Sequence, residues 1–220
     1  MWAGIRRTHG RPPAQKRVLV ADDVRRAVAA MPNSLQGLRD RALVLVGFGA
    51  ALRRSELVSL ELDGPGAGGS RIRVVAGGLE VHLDRSKADP EGHGAVIAIP
   101  HGQRLDTCAV RALEAWVKAA GITSGPIFRP VNRWGQVAAK AMTDHGAALV
   151  VKSAAERIGL DPDAFEGHSL RAGLATAAAA NDASAEIIMR HMRHARFDTT
   201  RRYIRQGEQF KRNAAGMAGL

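Results

Sequence analysis

Residues 193–205, RHARFDTTRRYIR, set five arginines around Tyr203, the only tyrosine in the chain. A core phenol stands among aliphatic side chains; one wrapped in guanidinium groups is placed to meet phosphate. GHSLRAG (167–173) carries His168 and Arg171 three residues apart, a spacing that shares one face of a helix. Their neighbours Gly167, Ala172 and Gly173 are small enough to let a large ligand approach the backbone. LRRSELVSL (52–60) holds Arg53 and Glu56 at the same spacing, and RSKADPEGHG (85–94) puts Lys87 at a strand end before a glycine-bearing turn. His194 stands nine residues before Tyr203. Taken singly, Arg53 with Glu56 reads as a surface ion pair, Lys87 as a solvated hairpin lysine, GHSLRAG equally well as a capping histidine with a chance arginine, and the Tyr203 segment as a basic surface helix.

Together these residue types fit one reaction. Breaking a DNA phosphodiester without hydrolysis needs a nucleophile that keeps the bond energy in a covalent link, and Tyr203 can supply it. A free phenol ionises near pH ~10, so it needs a base or surrounding cations. Arg53 and Arg171 can fork onto both non-bridging oxygens and stabilise the added charge of a pentacoordinate transition state. Lys87, on its turn, can protonate the leaving 5′-oxygen as general acid. Guanidinium charge stands in for a metal, so neither a metal nor a cofactor is expected.

The elements that must position these residues follow from periodicity and punctuation. Amphipathic helices are predicted over 21–31 and 36–48, the second with an apolar face of Leu38, Leu43, Leu45 and Val46. After the turn-rich ELDGPGAGGS, the stretches RIRVVA, LEVHLDRS and AVIAIP predict a three-stranded antiparallel sheet. TCAVRALEAWVKAAG and TDHGAALVVKSAAERIG each predict a helix with a Thr cap and a Gly exit. SLRAGLATAAAAN reads as a tightly packed interior helix, and DASAEIIMRHMR and DTTRRYIRQG as helices opening on an Asp cap. The fold class is mainly α with one small sheet, an α+β domain.

Composition narrows the partners. The 220 residues carry 32 Lys/Arg against 21 Asp/Glu, a net charge of +11, which points to a polyanion. Residues 1–17 hold five basic residues and no acid, while residues 190–212 hold eight against Asp198 and Glu208. Cys108 is the only cysteine, which argues against a disulfide framework and suits a core thiol in a cytoplasmic, DNA-associated protein. The apolar run LVLVGFGAAL is too short for a membrane span, so no membrane partner is expected.

The order Arg53, Lys87, His168-x-x-Arg171, His194, Tyr203 resembles the tyrosine recombinase (phage integrase) family. ALRRSELVSL is similar to its Gly-Leu-Arg-x-Ser-Glu-Leu segment, GHSLRAG to its His-x-x-Arg box, and RHARFDTTRRY to its His-x(4)-Thr-Thr-x-x-Tyr ending. The resemblance implies a site-specific recombinase catalytic domain that cuts and rejoins double-stranded DNA through a 3′-phosphotyrosine. It implies His168 as general base and phosphate donor, His194 as a further phosphate donor and Glu56 as the orienter of the cations. Arg54, Arg193, Arg201 and Arg202 are the expected DNA contacts, and a homotetramer on DNA, monomeric when free, the expected assembly. Residues 1–17 are then a basic linker or arm, 18–207 the catalytic domain, and 208–220 either a tail docking on a neighbouring subunit or a frayed terminus; the N-terminal clamp domain of relatives is expected to be missing. Two departures stand out: Ala for the usual Gly in GAALRRSEL, and Arg193 where relatives usually show Gly before the histidine. Three readings compete: a non-catalytic helix-turn-helix-like module over 182–206, which leaves Lys87 and His168-x-x-Arg171 unexplained; a type IB topoisomerase, which shares the catalytic set; and a degenerate recombinase kept for binding or regulation, against which all six expected catalytic positions are filled.

Overall fold

The computed structural model describes residues 17–63, 69–84, 94–207 and the single residue 218. Lys87, the arm before residue 17 and almost all of the tail lie outside them. In chain order the elements are α1 (Ala21–Ala29), α2 (Leu35–Gly49), α3 (Arg54–Val58), β1 (Glu61–Leu62), β2 (Arg71–Val75), β3 (Gly78–Leu83), β4 (Ala95–Pro100), α4 (Ala109–Ala119), β5 (Gly125–Pro126), α5 (Asp144–Glu156), α6 (Ser169–Ala180), α7 (Ala185–Met192) and α8 (Phe197–Gly207).

Helix α2 is the spine. Ser34 caps it by accepting a hydrogen bond from the Gly37 amide (3.1 Å). Ala42, Leu43, Val44, Leu45 and Val46 are buried in succession, so neighbours cover every side of this helix. That differs from the one-faced helix predicted, because α1, α4, α5 and α6 all pack on it. Helix α4 anchors the far side through Trp116, fully buried, whose indole N–H donates to the Ile127 carbonyl (2.9 Å).

The sheet has five strands in the order β4-β3-β2-β1-β5 and is mixed, where three antiparallel strands were expected. The predicted strands are its antiparallel centre, with Val81 opposite Ile72 on one side and Ile97 on the other, all three buried. The additions are two-residue strands: β1 runs parallel to β2, and β5 antiparallel to β1.

Caps follow the prediction in part. Thr143 caps α5 by accepting from the Gly146 amide (3.0 Å). The Gly121 and Gly159 exits adopt the left-handed φ values of 63° and 77° that glycine tolerates. Thr107, however, sits in a 3-10 turn and α4 starts from Cys108 without a side-chain cap. Ser184 rather than Asp182 caps α7, and Asp198 lies in the first turn of α8. At α7 two capping-type residues lie two positions apart, and the helix starts after the second of them.

Candidate active site

Helix α2 ends in a turn whose Ala51 is left-handed, φ 49°, and this reversal delivers Arg53 as the residue before α3. The Arg53 amide donates to Glu56 Oε2 (2.8 Å) and its Nη1 to Oε1 (2.6 Å). Glu56 is buried at 5% exposure, and this pairing supplies the hydrogen bonds and counter-charge that a buried carboxylate needs.

His168 and Arg171 enter at the start of α6, with His168 the residue that precedes its first turn. Arg171 is 5% exposed, and its Nη1 and Nη2 donate to the carbonyls of Ala51 and Met192. Those two bonds tie the α2–α3 turn to the end of α7 through one guanidinium and fix its plane. Burial, then the guanidiniums of Arg193 and Arg53, lower the Arg171 pKa to about 10, which still leaves it charged at neutral pH. Partial burial, then the guanidiniums of Arg171, Arg54 and Arg53, hold His168 below the usual imidazole range.

Helix α7 closes with the Arg193 amide donating to the Arg190 carbonyl (3.1 Å) and the His194 amide to the Met189 carbonyl (3.1 Å). This sharp stop aims His194 back at the site. Its Nδ1 pairs with Thr200 Oγ1 (2.9 Å), and its ring stacks on Tyr203 with centroids 6.0 Å apart and planes 21° from parallel. Burial and the neighbouring Arg171, Arg53 and Arg193 drive its pKa down to about 4, so it is neutral at pH 7. Thr200 is fully buried, and no role was assigned to it from sequence. Its signal was present, since threonine six residues after His194 on a new helix puts its hydroxyl in reach of the ring.

Thus Arg53, Glu56, His168, Arg171, His194 and Tyr203 form one electrostatically connected cluster, drawn from the start of α3, the start of α6 and the α7–α8 segment. Arg54 stands beside it, its side chain 40% exposed and 3.6 Å from Asp144. A Cβ on Gly167 would overlap the Arg54 side chain, which explains the small residue there. Arg201 and Arg202 are exposed on α8. Arg193, expected on DNA, instead turns Nη2 to Glu56 Oε2 (2.8 Å) with 12% of its side chain exposed. His191 is also turned inward, its Nε2 donating to the Gly49 carbonyl (2.8 Å).

The chain belongs to the phage integrase family, whose model matches residues 17–209. It is 43% identical over 182 residues to an integrase/recombinase xerD homolog of Selenomonas ruminantium, covering 83% of this chain and 51% of that protein. It is 32% identical over 201 residues to the tyrosine recombinase XerC of Rhodospirillum centenum, covering 87% of this chain and 52% of that protein. It therefore spans about half the length of the curated relatives it matches. Among solved structures, the XerH site-specific recombinase in its post-cleavage complex with a palindromic difH substrate superposes with a TM-score of 0.70 at 15% identity, over 99% of this chain and 57% of that one. The XerA recombinase gives 0.61 at 16% identity, over 98% and 66%.

Proposed function

We propose that this chain is the catalytic domain of a site-specific tyrosine recombinase that breaks and rejoins double-stranded DNA. The observation that carries the reading is the stacking of Tyr203 on a neutral His194 beside Arg53 and Arg171. Two of the five N–H groups of Arg171 are given to backbone carbonyls, which fixes the plane in which the others meet phosphate oxygens. Preorganised charge of this kind stabilises a pentacoordinate phosphorane without reorganising during the reaction.

The Tyr203 oxygen attacks the phosphorus and its proton passes to His168, whose lowered pKa leaves it free to accept one. The 5′-oxygen leaves and takes a proton from Lys87, a role proposed from sequence. His194 faces the phosphate through Nε2, so the hydrogen sits there and the Thr200 hydroxyl donates to Nδ1. A 5′-hydroxyl from a second duplex then attacks the phosphotyrosine, joins the new strand and releases Tyr203. Arg54, Arg201 and Arg202 hold flanking phosphates, a role supported by the exposure of Arg201 and Arg202 and the partly exposed side chain of Arg54. A homotetramer on DNA and docking of residues 208–220 on a neighbour belong to the same proposal; light scattering with and without site DNA checks both.

The test is covalent trapping. Genomic fragments retained by the protein are sequenced, and the enriched site is rebuilt as a duplex with a 5′-bridging phosphorothiolate. The expected result is a denaturation-resistant adduct mapping to Tyr203 and absent from Tyr203→Phe. Site binding without adduct would favour the non-catalytic module, and plasmid relaxation without joining the topoisomerase.

A further inference from the structure

Arg193 occupies a position its backbone disfavours. It is the left-handed residue after α7, φ 54° and ψ 44°, where a Cβ crowds the following carbonyl and glycine is the usual solution. Its Nε is buried and has no hydrogen-bond acceptor among the described residues. A strained backbone and an orphaned donor persist where the rest of the structure holds them in place, and such outliers cluster at functional sites. What the arginine gains in return is an ion pair: Nη2 meets Glu56 Oε2 at 2.8 Å, with Nη1 3.4 Å from the Ala50 carbonyl and Nη2 3.5 Å from that of Ala51.

We propose that Arg193 is a positioning residue that shares the Glu56 carboxylate with Arg53 and latches the Ala50–Arg53 turn to the loop carrying His194. It rests on the recombinase reading for what is positioned, but the latch itself does not. Among the described residues Glu56 receives three hydrogen bonds on two oxygens: Arg53 Nη1 on Oε1, and the Arg53 amide and Arg193 Nη2 on Oε2. With Arg193 in place, half of the carboxylate is neutralised from the α7 side. Arg53 then engages it through a single Nη and keeps its remaining donors for a phosphate. Among the described residues, removal of Arg193 leaves Arg53 as the one side chain paired with this buried carboxylate, and the carboxylate draws both arms of Arg53 away from phosphate. Arg193 therefore acts on the reaction through Glu56 and Arg53 rather than by touching DNA.

Two measurements on the 220-residue chain test this with Arg193→Gly, which suits the left-handed backbone, Arg193→Lys and Glu56→Gln. Native-state hydrogen exchange reads the latch directly: the Arg53 amide should exchange at least about tenfold faster in Arg193→Gly. Adduct formation on saturating phosphorothiolate duplex reads its consequence. Arg193→Gly should slow it about tenfold or more while the DNA dissociation constant stays within about threefold, and Arg193→Lys should recover part of the rate. In a Glu56→Gln background the same glycine substitution should add almost nothing. Unchanged Arg53 exchange, a wild-type cleavage rate in Arg193→Gly, or multiplying effects with Glu56→Gln would each overturn the proposal. If the unaltered protein forms no adduct, the recombinase reading fails while the exchange measurement still decides on the latch.

Discussion

His194 shows how far a single residue's chemistry depends on its surroundings. A free imidazole titrates near 6.5, but burial and three guanidiniums hold this one at about 4. Between those values the unfolded chain binds a proton that the folded chain refuses, so stability falls as pH drops through that window and levels off below it. His168 and His191 are held down as well and act in the same direction. The urea midpoint should therefore fall between about pH 7 and about pH 4.5, and His194→Gln should make that fall shallower. An identical pH slope in the two proteins would show that His194 is not held neutral. If the proposed phosphate contact at Nε2 is right, the anion favours the charged ring, and DNA binding in the same pH range should draw in protons.

At the scale of elements, α6 does the positioning. It carries Arg171, and its run of alanines lets α8 lie close: a Cβ on Gly207 would come 2.6 Å from the Thr176 carbonyl oxygen and 2.8 Å from the Ala179 Cβ. On its other side a Cβ on Gly173 would overlap the Leu19 carbonyl oxygen. The Leu19 segment is held down by its own amide, which donates to the Ser169 carbonyl (3.2 Å), and by the Ser169 hydroxyl donating to the Arg17 carbonyl (2.9 Å). It cannot retreat cheaply, so Gly173→Ala should destabilise the protein by about 1–3 kcal/mol, as overpacking usually does, in urea unfolding. No change in stability would mean that the segment yields. The close-packed interior nature of this helix was legible in its composition, as were the three central strands in theirs. β1 and β5 were not, because two residues carry no periodicity and their pairing is set by tertiary context. The inward turn of Arg193 was equally hidden, since a basic residue in a basic run carries no mark of the buried carboxylate, 137 residues earlier in the chain, that it meets.

For the molecule as a whole, charge and shape have separate consequences. On the proposed recombinase reading, a net charge of +11 predicts strongly salt-dependent DNA binding, because each phosphate neutralised releases condensed counterions. Arg171, Arg53 and Arg193 each spend part of their donors inside the protein, on carbonyls or on Glu56. The exposed arginines Arg201 and Arg202, on α8 in the same element as Tyr203, are free to add to the salt dependence. A double substitution, Arg201→Ala with Arg202→Ala, should weaken binding to every DNA sequence alike. It should lower the slope of log affinity against log salt by about 2, since each phosphate left without its arginine removes about 0.9. Site preference should survive, because phosphate contacts set register without reading bases. A slope unchanged by the substitution would place the DNA backbone elsewhere on the domain, and a weakening confined to the specific site would make these arginines readers of sequence instead.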